Sequence, residues 1–314
     1  MEKYEEYYKE CRLCARLCGI DRTLRHGACG EKSTMRASRA SLHLWEEPPI
    51  SGTRGSGTVF FSGCSLGCIY CQNRAISRGD CGIPITPNDL AETALRLQKE
   101  GAHNLNLVTP THFAPSVREG VLLARERGFI LPVVYNTSSY DSPEALSLMD
   151  GIVDIYLPDL KYFRESTARA YSAAPNYPTA ARAAIAEMVR QTGAVKLDAD
   201  GLMLRGTVIR ILLLPGHLAE AKLNLSYVYK AYGDSVCISL MSQYTPIGSL
   251  PKPLDRRVSR AEYRELVDYA EALGVRNAFI QESGAAEESF IPDFDDTGLL
   301  ISDTSSVTSK KVNK

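Results

Sequence analysis

Residues 58–73, TVFFSGCSLGCIYCQN, decide how this chain is read. Thr58 to Gly63 form a strand-like run of β-branched and aromatic residues that empties directly into Cys64, Cys68 and Cys71. A loop with x3 and x2 spacing can wrap several thiolates around one inorganic centre. Four thiolates would close a tetrahedral zinc site or saturate an iron–sulfur cluster. Three, with no fourth nearby, leave one metal position open to an outside ligand, the mark of a reactive site. The competing reading is a structural zinc completed by a histidine or a distant cysteine.

Outward from this stretch, strands and helices alternate. Further strand-like runs are NLNLVT (104–109), LPVVYN (131–136), GIVDIYL (151–157), GTVIRILLLP (206–215), SVCISLM (235–241) and NAFIQ (277–281). Helical patterns fall at 86–101, 115–127, 142–149, 178–191, 217–232 and 259–273, the last opening on a Ser259–Glu262 capping box. LDADG (197–201) reads as a hairpin turn before the fifth strand. Six or seven β/α units predict an α/β fold with a parallel sheet and helices outside it. The chemically unusual residues gather at strand C-terminal ends, which favours a partial or nearly closed (β/α) TIM-like barrel over a doubly wound sheet. A structural zinc has no need of that position, so the open-site reading gains.

The chain of 314 residues has 36 basic and 37 acidic side chains and a formal net charge of −1, which argues against bulk electrostatic binding of nucleic acid. The aliphatic run Ile211–Leu214 is far too short to span a bilayer, and MEKYEEYYKEC at the start has no apolar signal-peptide core. A cytoplasmic protein without membrane association is expected. Nine cysteines are present, seven of them in two clusters within the first 71 residues, and in a reducing compartment clustering signals metal chemistry. Cys81 and Cys237 have no spacing partner.

Residues 1–50 contain Cys11-x2-Cys14-x3-Cys18-x10-Cys29 among nine Lys/Arg and eight Asp/Glu. Such a segment has little apolar core, and a metal would stabilise it. The four thiols suit zinc, a rubredoxin-like iron or an auxiliary iron–sulfur cluster, with zinc slightly ahead because four ligands leave no open site. The expected organisation is a Cys-rich metal module over 1–50, a barrel core over 51–281, and an acidic then Ser/Lys-rich tail over 282–314 that is partly disordered.

The triad, with Tyr70 just before its last cysteine, resembles the signature of the radical S-adenosylmethionine (SAM) superfamily. The longer string CSLGCIYCQN is most similar to the pyruvate formate-lyase activating enzymes and their uncharacterised activating-enzyme-related iron–sulfur relatives. The likeness extends over residues 9–281, through EEPPISGTRGSGTVFFSGC, GAHNLNLVTPTHF, VVYNTSSY, DIYLPDLKY, RGTVIRILLLPG and LMSQYTP. It implies a [4Fe–4S] cluster on Cys64, Cys68 and Cys71, with the fourth iron chelated by SAM. It also implies a 5′-deoxyadenosyl radical for hydrogen-atom abstraction, with a low-potential flavodoxin- or ferredoxin-type electron donor. By the same resemblance the acceptor is a backbone glycine of a glycyl radical enzyme. The rival enzymatic reading is radical modification of another peptide, a small molecule or RNA; the non-enzymatic one is a zinc-binding scaffold.

The resemblance also assigns residues. Where the family has two glycines and a glutamate for the SAM amino group, this chain has Thr109-Pro110-Thr111-His112, so the hydroxyls of Thr109 and Thr111 are candidates. His112 is a candidate donor or acid. Asn136-Thr137 and Asp159-Leu160-Lys161 correspond to segments flanking SAM, where an aspartate of the family's cation site is replaced by Asn136. Lys161 offers a point charge for a carboxylate and Asp159 can orient it. Arg210, flanked by aliphatic residues inside a strand, must be paired and matches a SAM-contacting arginine. Gln243 is a candidate ribose or adenine contact. Asp154, read as lying mid-strand, needs a partner and is a further candidate. The glycines of GTRGSG (52–57) precede a strand, which is the wrong order for a nucleotide-binding fingerprint.

Overall fold

The computed structural model describes residues 4–79, 81–281 and 292–301. Among these, seven strands run parallel in one sheet: β2 (Ser56–Phe61), β4 (Leu105–Val108), β5 (Val133–Thr137), β6 (Ile155–Pro158), β8 (Met203–Leu212), β9 (Cys237–Met241) and β10 (Ala278–Ile280). β1 (Arg36–His43) pairs antiparallel with β2, β3 (Ile83–Pro84) pairs antiparallel with β1, and β7 (Lys196–Leu197) forms the expected hairpin onto β8. The order is β10-β9-β8-β6-β5-β4-β2-β1-β3. The path ends at β10 and β3, so the sheet makes a partial barrel that hydrogen bonds do not close.

Every residue of β2, β4, β5, β6 and β9 is buried. Parallel strands covered on both faces require this, and it is why they read as continuous apolar runs. Outside them pack α4 (Pro87–Lys99), α5 (Ala114–Glu126), α6 (Pro143–Met149), α8 (Tyr177–Thr192), α9 (Leu218–Tyr232) and α10 (Arg260–Leu273). α4 starts on a capping box of Thr86 and Asp89, and α10 on one of Ser259 and Glu262. The four-residue helices α1 (Glu6–Lys9), α2 (Pro48–Ser51) and α3 (Arg74–Ser77), together with α7 (Glu165–Ser172), lie in the connections. Interior residues such as Leu107 and Val133 are fully buried, and truncating one to alanine would cost roughly 2–5 kcal/mol.

The cysteine-rich segment packs against the barrel. β1 belongs to the same sheet, and Tyr8, Cys11, Leu13 and Met35 share one core with Phe61, Leu107 and Phe113. Part of the expected tail packs on the sheet. Residues 292–301 run along β1, where the Asp296 N–H donates to Ser38 O at 2.9 Å and the Ala40 N–H to Thr297 O at 2.9 Å. Phe294 packs on Phe60. Residues 282–291 and 302–314 of the expected tail lie outside the described residues. Among the described residues no helix is long and apolar enough to cross a membrane.

Candidate functional site

The C-terminal ends of the parallel strands enclose a cavity of about 230 Å³. The loop after β2 brings Cys64, Cys68 and Cys71 to it; Thr109 follows β4, Asn136 and Thr137 end β5, and Asp159 and Lys161 follow β6. Arg210 enters from β8 and Gln243 from beyond β9. Residues far apart in sequence therefore meet because each follows or ends a parallel strand.

The cysteine loop is fixed by backbone bonds. The Cys64 N–H donates to Cys29 O at 3.0 Å, that of Cys71 to Cys68 O at 3.2 Å, and that of Ile69 to Tyr171 O at 2.9 Å. Gly63, at φ +80°, starts the turn, and a Cβ there would stand 2.5 Å from Glu31 Cγ and 2.8 Å from Cys29 O. Only glycine satisfies both limits. The Arg16 guanidinium donates to four carbonyls, those of Ser65, Leu66, Ser172 and Ala173, tying the loop to the end of α7. Cys68 Sγ accepts from Ser172 Oγ at 3.1 Å and lies 3.7 Å from the Tyr162 hydroxyl.

Burial pushes the Cys71 thiol up to about 12 and also raises Cys64, with the neighbouring cysteines adding to both shifts. Thiolates here require added positive charge, which iron would supply. Three mutually interacting thiols, Cys68 buried and Cys64 and Cys71 half-buried, border an open cavity and fit a cluster with one iron free for an outside ligand. Among the described residues no group of three or more His, Cys, Asp or Glu is placed to hold a single metal ion.

Opposite the thiols lies a charged network. Arg210 Nε donates to Asp159 Oδ1 at 2.7 Å, one Nη to Glu46 Oε2 at 3.2 Å, and the other Nη to Asn136 Oδ1. Lys161 Nζ donates to Asp159 Oδ2 at 2.7 Å. Burial alone would raise the Asp159 pKa, but the charges of Arg210 and Lys161 outweigh it and hold the carboxyl below its usual range. Burial likewise works against both cations, and Asp159 reverses this, leaving each above its ordinary value. These are not rim ion pairs, since Arg210, Asp159 and Lys161 are each less than one-fifth exposed.

Glu46 is the residue that sequence reasoning missed. It accepts from Asn106 Nδ2 at 3.0 Å and Asn136 Nδ2 at 3.2 Å as well as from Arg210. Asn136 donates to Glu46 and accepts from Arg210. A carboxylate at this position could not do both, and the carboxylate of this network is that of Glu46. The neighbouring Glu47 is buried, which raises its pKa, and its Oε2 has no hydrogen-bond partner. The signal was the pair Glu46-Glu47 before Pro-Pro, two adjacent acids leading into an apolar stretch. Tyr70, Tyr244, His43 and Trp45 complete the cavity wall, and Gln72 Nε2 donates to the Gln243 carbonyl at 2.8 Å.

Three candidates do not reach this cavity. Thr111 donates to Asp141 Oδ1 at 2.7 Å, inside a buried knot that also takes the hydroxyls of Tyr135 and Thr137. Thr137 thus borders the cavity with its hydroxyl already engaged. His112 is buried behind the cysteine loop with Nε2 2.7 Å from Ser62 O, and burial drives its pKa down to about 3. An imidazole so placed is neutral and structural. Asp154 lies just before β6, at the opposite end of the strand from the cavity. It accepts from the Val133 N–H at 2.9 Å and pairs with Arg125 at 3.2 Å. Its expected partner exists, but the strand begins at Ile155, four residues later than the run read from Gly151, so Asp154 lies outside it and its pairing is made at the strand's N-terminal end. Thr109 does line the cavity, with a left-handed backbone at φ +60°. A β-branched residue held there stores strain that the surrounding structure must impose.

The N-terminal cysteines sit on the flank of the site. Cys11, Cys14 and Cys29 are buried and Cys18 is half-buried. Burial pushes the Cys14 thiol up to about 12, with Cys29, Cys11 and Cys18 adding to it. Arg22, fully buried, approaches Cys11 Sγ at 3.7 Å and donates to the carbonyls of Glu31, Lys32 and His112. Cys237 is buried within β9, and Cys81 packs against Phe60, Ile76 and Val108.

The family model of the Radical SAM superfamily matches residues 58–221, just over half of the chain. Uncharacterized protein MJ0674 of Methanocaldococcus jannaschii is 25% identical over 283 residues, covering 86% of this chain and 77% of that protein. Among solved structures, methylornithine synthase (PylB) superposes with a TM-score of 0.50 at 15% identity, over 69% of this chain and 60% of that one. Streptococcus suis SuiB bound to S-adenosylmethionine gives a TM-score of 0.49 at 8% identity, over 71% of this chain and 49% of that one. The chain thus spans about half to three-fifths of the length of these solved chains, and the PylB likeness is one of fold.

Proposed function

The chain belongs to the radical SAM superfamily, and on that premise we propose that it is an enzyme that uses SAM bound in the 230 Å³ cavity for hydrogen-atom abstraction. Cys64, Cys68 and Cys71 would hold a [4Fe–4S] cluster. Such a cluster, when bound, supplies the electron that cleaves SAM to methionine and a 5′-deoxyadenosyl radical.

The observation that carries this reading is the meeting of three close-spaced cysteine thiols and a largely buried charged network in one cavity. Lys161 spends one N–H on Asp159 and keeps two donors for a carboxylate such as that of SAM. Arg210, held by three acceptors, is a fixed cation rather than a searching one. Glu46 brings negative charge to a cavity whose ligand carries an amino group and a sulfonium. Thr109 offers its strand-end backbone and hydroxyl, and Gln243 a side chain at the mouth. The walls of Tyr70, Tyr244 and Trp45 favour exclusion of water from a radical.

The finer reading, activation of a glycyl radical partner, rests on the likeness of CSLGCIYCQN and its companion segments to the activating enzymes. The N-terminal cysteines would close a second metal site, with zinc or iron decided by metal analysis. A low-potential flavodoxin- or ferredoxin-type donor and a cytoplasmic setting belong to the same reading.

Anaerobic reconstitution tests it. Iron and sulfide near four each at the triad, and 5′-deoxyadenosine formed on adding SAM and dithionite, are expected. A zinc-only protein that forms no 5′-deoxyadenosine would overturn the proposal. A stable protein-radical signal by electron paramagnetic resonance on adding a glycyl radical enzyme supports the finer reading, and 5′-deoxyadenosine formation without such a signal removes it.

A further inference from the structure

Cys64 borders two cavities. One is the site described above; the other, of about 370 Å³, lies across the cysteine loop, between that loop, residues 28–30 and the end of α7. Its charged lining consists of Arg16, Arg78 and Arg169, with no carboxylate among the described residues that line it. In a chain with 36 basic and 37 acidic side chains, this is a local excess of positive charge.

The three arginines differ in role. Arg16 is spent on the four carbonyls that hold the cysteine loop. Arg78 and Arg169 are exposed, and neither guanidinium has a hydrogen-bond or carboxylate partner among the described residues. Arg78 Nη1 stands over Gly67, where an added Cβ would be 3.6 Å away. Gly67 immediately precedes Cys68, so this cation sits directly on the metal-binding loop.

We propose that this arginine-rimmed cavity is the docking site of an acidic one-electron carrier protein that reduces the cluster at Cys64. The inference rests on the radical SAM reading above. The chemistry is a single electron transfer: the reduced carrier loses one electron, the oxidised cluster gains it, and no bond forms or breaks. The front cavity must hold SAM and exclude water, so it is a poor path for a protein donor. The rear cavity reaches the same thiol from outside, and its unpartnered guanidinium groups would steer a negatively charged surface to it.

The test compares donors on the reconstituted holoenzyme carrying R78E and R169E together. Photoreduced flavodoxin, an acidic flavoprotein, is set against dithionite and reduced methyl viologen, small donors of opposite charge. With iron content equal to wild type, flavodoxin-driven 5′-deoxyadenosine formation should fall at least tenfold and lose most of its salt dependence. Neither small donor should change more than threefold, and R78K with R169K should keep the flavodoxin rate. An unchanged flavodoxin rate would overturn the proposal, as would an equal loss with all three donors. Should the double Glu variant lose its cluster, R78A with R169A replaces it: a loss confined to flavodoxin supports the proposal, and an unchanged flavodoxin rate or a loss with all three donors overturns it. Failure of the radical SAM reading is distinct, because wild type would then form no 5′-deoxyadenosine even with dithionite, before any protein donor is compared.

Discussion

Cys64 N–H donates to Cys29 O at 3.0 Å, so one backbone bond joins the two cysteine clusters of the chain. Ordering at one must be felt at the other. A Cys14→Ser substitution is expected to remove the metal carried by the N-terminal four and to lower iron at Cys64, Cys68 and Cys71. Metal analysis of the purified protein checks this. Wild type should hold metal beyond four irons per chain, and the variant should lose that excess. An unaltered metal content in Cys14→Ser would show that the N-terminal thiols bind none.

Arg210 faces Asp159, Glu46 and Asn136 at once, and its removal leaves Glu46 without its cation and Asp159 with Lys161 alone, in a low-dielectric interior. Breaking such a buried pair typically costs about 3–5 kcal/mol. Arg210→Ala should therefore lower the urea midpoint and abolish SAM binding. Arg210→Lys keeps the charge but cannot span three acceptors. It should fold with a smaller loss and bind SAM at least tenfold more weakly, as equilibrium dialysis would show. Equal SAM affinity in wild type and Arg210→Lys would rule out a positioning role for the guanidinium fork.

How far the sequence already disclosed this site follows from the physics of each residue. Cys64, Cys68, Cys71, Asp159, Lys161 and Arg210 were legible because a charge or a close-spaced thiol beside a strand-like run has few bland explanations. The parallel α/β architecture was legible from alternation of apolar runs with helical periods. Glu46 was not, because its role depends on donors from β4, β5 and β8 that come together only in the folded sheet. His112 and Thr111 looked available because polarity shows in sequence and engagement does not. The antiparallel β1, with its alternating Ser and Arg, reads as polar linker until residues 292–301 are seen to lie along it.

Ser172 Oγ donates to Cys68 Sγ at 3.1 Å and receives support from the Tyr162 hydroxyl 2.7 Å away. Hydrogen bonds to cluster sulfurs stabilise the more negative, reduced state. Ser172→Ala should keep its iron but show a more negative cluster potential. The shift should be on the order of 50 mV, since about 1 kcal/mol is at stake and ~59 mV corresponds to a tenfold change for one electron. A redox titration followed by electron paramagnetic resonance reads it directly. A potential unchanged with iron retained would mean that the hydroxyl does not tune the cluster.

His112 gives the chain a specific acid sensitivity. Burial, aided by Arg22, lowers its pKa to about 3, against about 6.5 in an unfolded chain. Between these values the unfolded state binds a proton that the folded state refuses. Stability must then rise with pH through this window, and fall as pH drops below about 6.5. The slope attributable to this one group approaches about 1.4 kcal/mol per pH unit. Nε2 faces the Ser62 carbonyl at 2.7 Å, so the neutral ring donates there. Glutamine can make the same donation without titrating. Urea unfolding of wild type and His112→Gln at pH 7.5, 6.0 and 5.0 should show the variant losing less stability at each step. Parallel pH profiles would mean that His112 is not the group that carries the acid sensitivity.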